Sequence, residues 1–467
     1  MEKTLTKFIN FLQSKWLILP LFLFGTIFQI LGLYYINVII MALVLSLVLL
    51  LCKDVKNIFG IFFYAAFYIG EIFETANWYV YGTAIGIAVC SFIYFVIKTL
   101  LQVKKNNVKI KQSKIFIPLV FCTIAFTFGG LFSNFQILPA LITLGISLAV
   151  LFFVFVASNY TKNLKDYLPF LFVCGAVMIS LEMLASNAIY GNSILAIFTR
   201  VSDNVSVGAE NINVAALFIL LGEISCFWLA ENKKSAYLFL ILSAIFVFMI
   251  LITTCRMITA ISIVSFIALS FYTLRKTKYK KSFTLAFVGI SVVAVGFIVL
   301  DLTVMKDIIY TLINKLDLAD FSNGRSALWA WCLEKFKLSP IFGYGFITPE
   351  NVYVAGLGDG ANRFVLAHNT LIQWLTSLGV VGTLVMLFYV FCKYKTMLKS
   401  VKEHGIFPLI IVLVITISGI TDQAAQMDTF IYVLSIITVV SVDDYAPFST
   451  LFKRKTKGYI KEKTNAN

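Results

Sequence analysis

The residues of this chain that could carry chemistry are basic ones at predicted membrane boundaries. His368 is one of only two histidines, and it follows a long loop in the run Ala367-His368-Asn369-Thr370-Leu371. An imidazole can accept and return a proton near neutral pH. The alternative is a surface histidine at the start of a membrane helix, and residue type alone favours that alternative.

Arg325 belongs to the same long loop, in a turn that predicts a helix start capped by Ser322 or Asn323. A cation in the first turn of a helix is disfavoured by the helix dipole, whereas a bound phosphate would suit both the helix N–H groups and the guanidinium. The alternative is an ion pair with Asp320 at the surface, worth about 0–1 kcal/mol. Spacing alone leaves these two interpretations equal.

Arg256 lies at the junction of two apolar segments with almost no loop between them. A charge so close to hydrocarbon is costly unless it is paired or functional. Extension toward the lipid headgroups is the alternative, but the short junction favours function. Glu182 and Glu223 fall within predicted spans, and a structural hydrogen bond is the favoured interpretation of Glu223. Asp317 and Asp320 lack a third ligand, so we expect no metal site.

The positions of these residues depend on a membrane fold. Of the 467 residues 60% are hydrophobic, and the mean hydropathy is +0.92. Apolar runs of near-spanning length recur throughout, which predicts an all-α polytopic membrane protein with about 12–14 transmembrane helices. The predicted spans are 16–34, 36–52, 57–73, 79–97, 115–133, 137–158, 168–187, 212–230, 236–254, 257–274, 283–301, 369–392, 406–421 and 428–443.

The net charge of +15 follows this topology. With the N-terminus inside, thirty of the 38 Lys and Arg residues fall on cytoplasmic segments, so both termini are predicted to be cytoplasmic. The charge therefore indicates contact with anionic lipid and excludes nucleic acid as the partner. The eight cysteines are scattered singly, with no CxxC pattern that would predict a zinc or haem site.

Two predicted outer loops, about 188–211 and 302–368, are long, and loops of that length are usually functional or disordered. The second contains aromatic and aliphatic residues, so we expect it to fold. Within the second, apolar residues at helical spacing over 302–316 predict a helix on the membrane surface. A second helix after Arg325 has Leu328, Trp331, Cys332 and Phe336 as its apolar face. The predicted organisation is N-terminal spans over 1–301, a helical extracytoplasmic loop over 302–368, C-terminal spans over 369–443 and a basic tail over 444–467.

An ordered series of motifs within 323–382 carries a family resemblance. It runs Gly324-Arg325, Trp329/Trp331, Ser339-Pro340, Gly343-Tyr344-Gly345, Ala367-His368-Asn369, Leu371 and Gly379-Val380-Val381-Gly382. In that order, on the outer side, these motifs resemble the O-antigen ligase and O-antigen polymerase (Wzy-like) superfamily. Thr253-Thr254-Cys255-Arg256 looks like that family's T-x-S-R element, with Cys255 in place of Ser. Glu210-Asn211-Ile212-Asn213 also resembles a family feature.

The resemblance implies a metal-independent membrane glycosyltransferase of the bacterial cytoplasmic membrane, with a GT-C-like fold and no cofactor. Its donor would be a glycan on undecaprenyl pyrophosphate. Arg256 and Arg325 would hold the pyrophosphate, and His368 would orient or deprotonate the acceptor hydroxyl. The remaining residues that the resemblance places at the substrate are Asn211, Asn213, Asn369, Trp331, Gly343 and Gly345.

The shared motif does not separate a polymerase from a ligase. A composition rich in Phe, Ile, Lys and Asn is typical of an AT-rich genome and indicates a Gram-positive source, which favours polymerisation of capsular or O-antigen-type repeat units. The alternative is ligase-type transfer to a surface acceptor. A transporter or flippase of lipid-linked sugars is a second alternative, although no internal repeat is found. Chain-length regulators and flippases are the expected protein partners.

Overall fold

The computed structural model describes residues 2–72, 78–106, 110–133, 135, 137–189, 212–231, 233–253, 255–300, 303, 325–345, 367–421 and 429–447. Within them the chain is helical apart from two short strands. Several predictions lie outside the described residues. They concern Asn211, the surface helix over 302–316 apart from residue 303, the two aspartates 317 and 320, and the segment before Arg325. The all-α polytopic fold predicted from hydropathy is confirmed.

The helices, in chain order, overlap every predicted span. They are α1 (Glu2–Gln13), α2 (Ile18–Ile30), α3 (Tyr34–Leu51), α4 (Asn57–Ile72), α5 (Trp78–Asn106), α6 (Phe116–Thr127), α7 (Ile137–Tyr160), α8 (Leu164–Ile189), α9 (Ile212–Ala230), α10 (Ala236–Thr253), α11 (Arg256–Lys276), α12 (Lys280–Leu300), α13 (Ser326–Leu338), α14 (Thr370–His404), α15 (Phe407–Thr421) and α16 (Thr429–Ser441). The strands β1 (Lys111–Gln112) and β2 (Ala446–Pro447) pair antiparallel.

Among the described residues, eight helices are long and apolar enough to cross a membrane, or up to nine if the bent pair at the N-terminus counts as one span. The shorter apolar helices include α6, α15 and α16. In that pair, a 78° bend separates α1 from the helical segment beginning at Lys15. The chain is therefore a multi-pass membrane protein.

The centre of the bundle is α9, which is apolar on all sides. A helix of that kind is buried, either among other helices or in lipid. Every residue from Ala215 to Trp228 is buried, and α8, α10, α11 and α15 pack around it. The one carboxylate there, Glu223, accepts hydrogen bonds from Ser262 and from Ser265, the latter at 2.9 Å. The predicted structural hydrogen bond of Glu223 is thus present, and it joins α9 to α11.

Segments predicted to lie on the cytoplasmic side contact one another. Asp443, after α16, accepts hydrogen bonds from Ser113 Oγ at 2.6 Å and from the Lys114 backbone N–H at 2.7 Å. The β1–β2 ladder adds to this junction, and Asn57 Nδ2 donates to Leu12 O at 2.6 Å in a second one. These bonds join distant parts of the chain at one end of the bundle, as the predicted alternation of spans requires.

Candidate active site

Arg325 immediately precedes α13, so the position of this helix determines where Arg325 lies. The sequence predicted a cap at Ser322 or Asn323, which is wrong: α13 begins at Ser326, and Arg325 itself is the N-cap residue. Its side chain makes no capping hydrogen bond. Its backbone oxygen accepts from Trp329 N at 2.9 Å, so the helical ladder begins at this residue. Arg325 is half-buried.

The predicted apolar face of α13 is present and forms a small core of its own. Leu328 and Cys332 are buried with Ala367, and Trp331 and Ile372 pack against them. Burial raises the pKa of the Cys332 thiol to about 11. That thiol is therefore protonated at neutral pH and fills space rather than acting as a nucleophile. Thr376 Oγ1 also donates to the Cys332 carbonyl at 3.1 Å, which ties α13 to α14.

His368 lies in the turn that leads into α14, with a left-handed backbone (φ 46°). A non-glycine residue in this region is uncommon and persists only where its surroundings hold it. Asn369, the next residue, caps α14 because its side-chain oxygen accepts from Leu371 N and Ile372 N at 3.0 and 3.1 Å. The half-buried His368 is thus positioned by the helix start that follows it.

One hydrogen bond brings the helix of Arg325 to the turn of His368. Trp329 Nε1 donates to the carbonyl oxygen of Ala367 at 2.7 Å. Trp329 is one helical turn after Arg325, and Ala367 immediately precedes His368. The first turn of α13 therefore lies beside the proposed base, although 43 positions separate Arg325 from His368 in the chain.

Gln373 binds the backbone N–H of the same residue, Ala367, and the sequence analysis did not identify this role. Its Oε1 accepts from the buried Ala367 N–H at 2.8 Å, while its Nε2 donates to Ser377 Oγ at 2.7 Å. The side chain is buried. A signal was available: Asn369, Gln373 and Ser377 place polar groups at four-residue spacing on one face of an apolar helix.

Helix α14 is broken at Gly379, where φ is 66°. The predicted span 369–392 falls on a candidate membrane span, Thr370–His404, and the break divides that helix into a short first part and a longer second part. Residues 340–345 replace the hydrogen bonds that the break removes. Tyr344 N and Gly345 N donate to the carbonyls of Thr376 and Ser377, and Val380 N and Val381 N donate to those of Pro340 and Ile341.

We call the pairing of residues 340–345 with residues 376–381 the interlock. Its glycines are required because the two backbones approach each other closely. Gly343 has φ 81°, and a Cβ there would lie 2.4 Å from the backbone of Ser377. A Cβ on Gly379 would lie 2.4 Å from Ile341 O. Gly345 donates its N–H to α14 as described above. The structure therefore uses Gly343 and Gly345, which the sequence placed at the substrate, to join the turn to α14.

The ring of Trp331 on α13 is covered by the ammonium group of Lys335, one helical turn further along. Lys335 Nζ is 5.7 Å from the Trp331 ring centroid and 5.1 Å from that of Tyr344. At such distances the ammonium is attracted to the ring faces. The cluster adds a cation to the region next to the interlock.

Arg256 is the first residue of α11, and the packing of α15 places it at the same end of the bundle as His368. Tyr272, near the end of α11, contacts Phe407, the first residue of α15, with ring centroids 5.7 Å apart. The two helices therefore run in opposite directions, and the start of α11 lies toward the end of α15. There, Thr370 Oγ1 donates to Gly419 O at 2.6 Å, which attaches the start of α14.

Asn213 is the second residue of α9 and is half-buried. Short connections join α9 to α10 and α10 to α11, and α10 packs against both, so successive helices are antiparallel and α9 and α11 run in the same direction. Asn213 and Arg256 are thus at the same end of the bundle. Among the described residues, no three His, Cys, Asp or Glu side chains come together as a metal site would need.

These features define a polytopic membrane protein with two arginines, a histidine and several amides gathered at one end of its bundle. Residues 215–387 match the family model for O-antigen ligase. For this part of the chain the match supports the O-antigen ligase/polymerase superfamily, and that family implies a membrane glycosyltransferase-like enzyme with a lipid-linked glycan substrate. The predicted resemblance is confirmed, and the match extends upstream to include Arg256. No curated protein matches the chain.

Proposed function

We propose that the protein polymerises oligosaccharide repeat units carried on undecaprenyl pyrophosphate, on the outer face of a bacterial cytoplasmic membrane. The acceptor hydroxyl oxygen bonds to the anomeric carbon of the donor glycan, and the bond from that carbon to the pyrophosphate oxygen breaks. The acceptor's proton passes to His368, and undecaprenyl pyrophosphate leaves. Direct attack of this kind inverts the anomeric centre, which NMR of donor and product linkages would test.

The observation that carries this proposal is the Trp329–Ala367 hydrogen bond of 2.7 Å, because it brings the helix of Arg325 to His368. A base within hydrogen-bond reach of a weak nucleophile accelerates transfer by about 10²–10⁴-fold. Arg325 and Arg256 would hold the pyrophosphate through bidentate guanidinium contacts as charge develops on it. Two fixed cations give this stabilisation without a metal ion, and metal independence is part of the proposal.

The remaining substrate contacts are proposed on the residues around this pair. Asn369 uses its oxygen to cap α14, which leaves its Nδ2 group for a glycan hydroxyl. Trp331 offers an aromatic surface to a sugar ring, and Asn213 offers an amide at the same end of the bundle. Gly343 and Gly345 would act indirectly, by fixing the interlock on which His368 and α13 depend. Asn211 is retained from the resemblance alone.

The second candidate is ligase-type transfer of the glycan to a surface acceptor, which the description of the matching family favours. Both reactions use the same donor and the same outer face. In either one the termini would be cytoplasmic, as the distribution of Lys and Arg predicts. A flippase would supply the donor, and a chain-length regulator would act with a polymerase.

The test is the size of glycans in a deletion strain that carries the wild-type gene or His368→Ala. Lipid-linked and surface glycans are separated side by side. A ladder restored by wild type, with single repeat units in His368→Ala, supports polymerisation that uses His368. Long chains left on the lipid carrier would instead mean a ligase. Repeat units trapped inside the cell would mean a transporter and would refute both candidates.

A further inference from the structure

An open groove of about 640 Å³ lies on α14 at the end opposite His368. It combines apolar and basic side chains. Its lining residues are Phe391, Tyr394, Lys395, Leu398, Lys399 and Lys402. None of these has a part in the proposed reaction.

If the hydrocarbon core begins at the break at Gly379, the depth of this groove follows from the length of the helix. The continuous helix begins at Val380, and about 20 helical residues cross the hydrocarbon core of a bilayer. The opposite boundary therefore falls near Lys399. Phe391 is at the depth of the acyl chains, whereas Lys399 and Lys402 are at the depth of the headgroups.

The three lysines of the groove form one row. Their spacing of four and three residues places Lys395, Lys399 and Lys402 on a single helix face, and all three are exposed. Within the part of the chain that the structure describes, none of them pairs with a carboxylate. Like charges at this spacing repel one another, so a counter-anion of high local charge would stabilise the row.

Lys393, on the same helix, differs from the groove lysines because it faces the protein interior. It is buried, and its Nζ donates to Thr416 Oγ1 on α15 at 3.2 Å. The groove lysines face away from the bundle, alongside Phe391 and Leu398, each 62% exposed. Lys395 Nζ lies 5.6 Å from the Phe391 ring centroid. Cation and exposed apolar surface thus alternate along the groove.

We infer that this groove binds one anionic phospholipid of the leaflet opposite the active site. The headgroup phosphate lies between Lys399 and Lys402, and Lys395 approaches it from the acyl side. One acyl chain packs against Leu398 and Phe391. Basic segments next to a membrane attract anionic lipid, and here the apolar wall adds a reason for one lipid to remain. A row of lysines that is only solvated is the competing explanation.

The test measures spin-labelled phosphatidylglycerol and spin-labelled phosphatidylcholine on the purified full-length protein in nanodiscs. Electron paramagnetic resonance gives the motionally restricted fraction of each lipid. We expect phosphatidylglycerol to be preferred, and the preference to be lost in the triple variant Lys395→Gln, Lys399→Gln, Lys402→Gln, because each lysine attracts anionic lipid. The Lys→Arg version of the same triple should keep it.

The matched control is the triple variant Lys278→Gln, Lys280→Gln, Lys281→Gln. It removes the same charge from exposed lysines around the α11–α12 junction, on the same predicted side of the membrane. An unchanged preference in the groove variant, or an equal loss in the control, would overturn the inference. Displacement of the labelled lipid by excess inorganic phosphate alone would also overturn it, because the site would then bind an anion and not a lipid.

Discussion

Replacing Gln373 by Leu tests whether the turn of His368 is held by its neighbours. Leu fills similar space but removes the hydrogen bonds of the buried amide to Ala367 N and Ser377 Oγ. The Ala367 N–H, which is fully buried, loses the Gln373 oxygen at 2.8 Å. Leaving a buried donor unsatisfied costs about 1–3 kcal/mol. If that cost adds to the activation free energy by displacing His368, glycan transfer slows by about 5- to 150-fold.

The assay is conversion of purified lipid-linked repeat units by the protein in vesicles, with kcat and KM measured separately. We expect the loss mainly in kcat, because Gln373 positions the proposed base and is not placed at the donor. Gln373→Glu is the matched control: its carboxylate still accepts from Ala367 N and can accept from the Ser377 hydroxyl, so most activity should remain. Wild-type kcat in Gln373→Leu, or an equal loss in both variants, would refute this reasoning.

Three further predictions concern the site and its support. Arg325→Ala and His368→Ala should abolish glycan transfer while the protein stays in the membrane. Arg325→Lys should impair transfer, because a lysine cannot make the bidentate contact of an arginine. Wild-type glycan ladders in these variants would show that the site is wrongly assigned. Gly343→Ala should lower thermal stability because its Cβ would clash with α14, whereas Gly289→Ala, in open space on α12, should not; equal melting temperatures would contradict the interlock. Cys332, with its pKa raised to about 11, should resist alkylation at pH 8 until the protein unfolds, and rapid native labelling would show that α13 does not cover it.

Hydropathy predicted the helices well because burial in lipid imposes long apolar runs. The motif order predicted which residues matter at one end of the bundle, and α13 has the apolar face that its spacing indicated. What hydropathy could not show is the break in α14. The bonds that replace the lost ladder come from Pro340 to Gly345, more than thirty positions upstream, and no local pattern contains them.

Gln373 illustrates a second limit. Its type and spacing indicate a polar face, but the partner is a backbone N–H whose position depends on the turn of His368. The roles of Gly343 and Gly345 were likewise ambiguous, since a glycine that approaches a ligand and one that approaches another backbone look the same in a sequence. Only their contacts with Ser377 and its neighbours separate the two.

The interlock at Gly379 also determines how close together the two ends of the segment between Gly345 and Ala367 lie. Residues 346–366 leave from Gly345, which is bonded to Ser377, and return at Ala367, which is bonded to Gln373, one turn away on the same helix. Because both ends are fixed at neighbouring points, doubling the length of this segment adds only about 0.6 kcal/mol of closure entropy. Insertions or deletions between Gly345 and Ala367 are therefore expected to change the free energy of unfolding little, because the bonds at both ends stay in place.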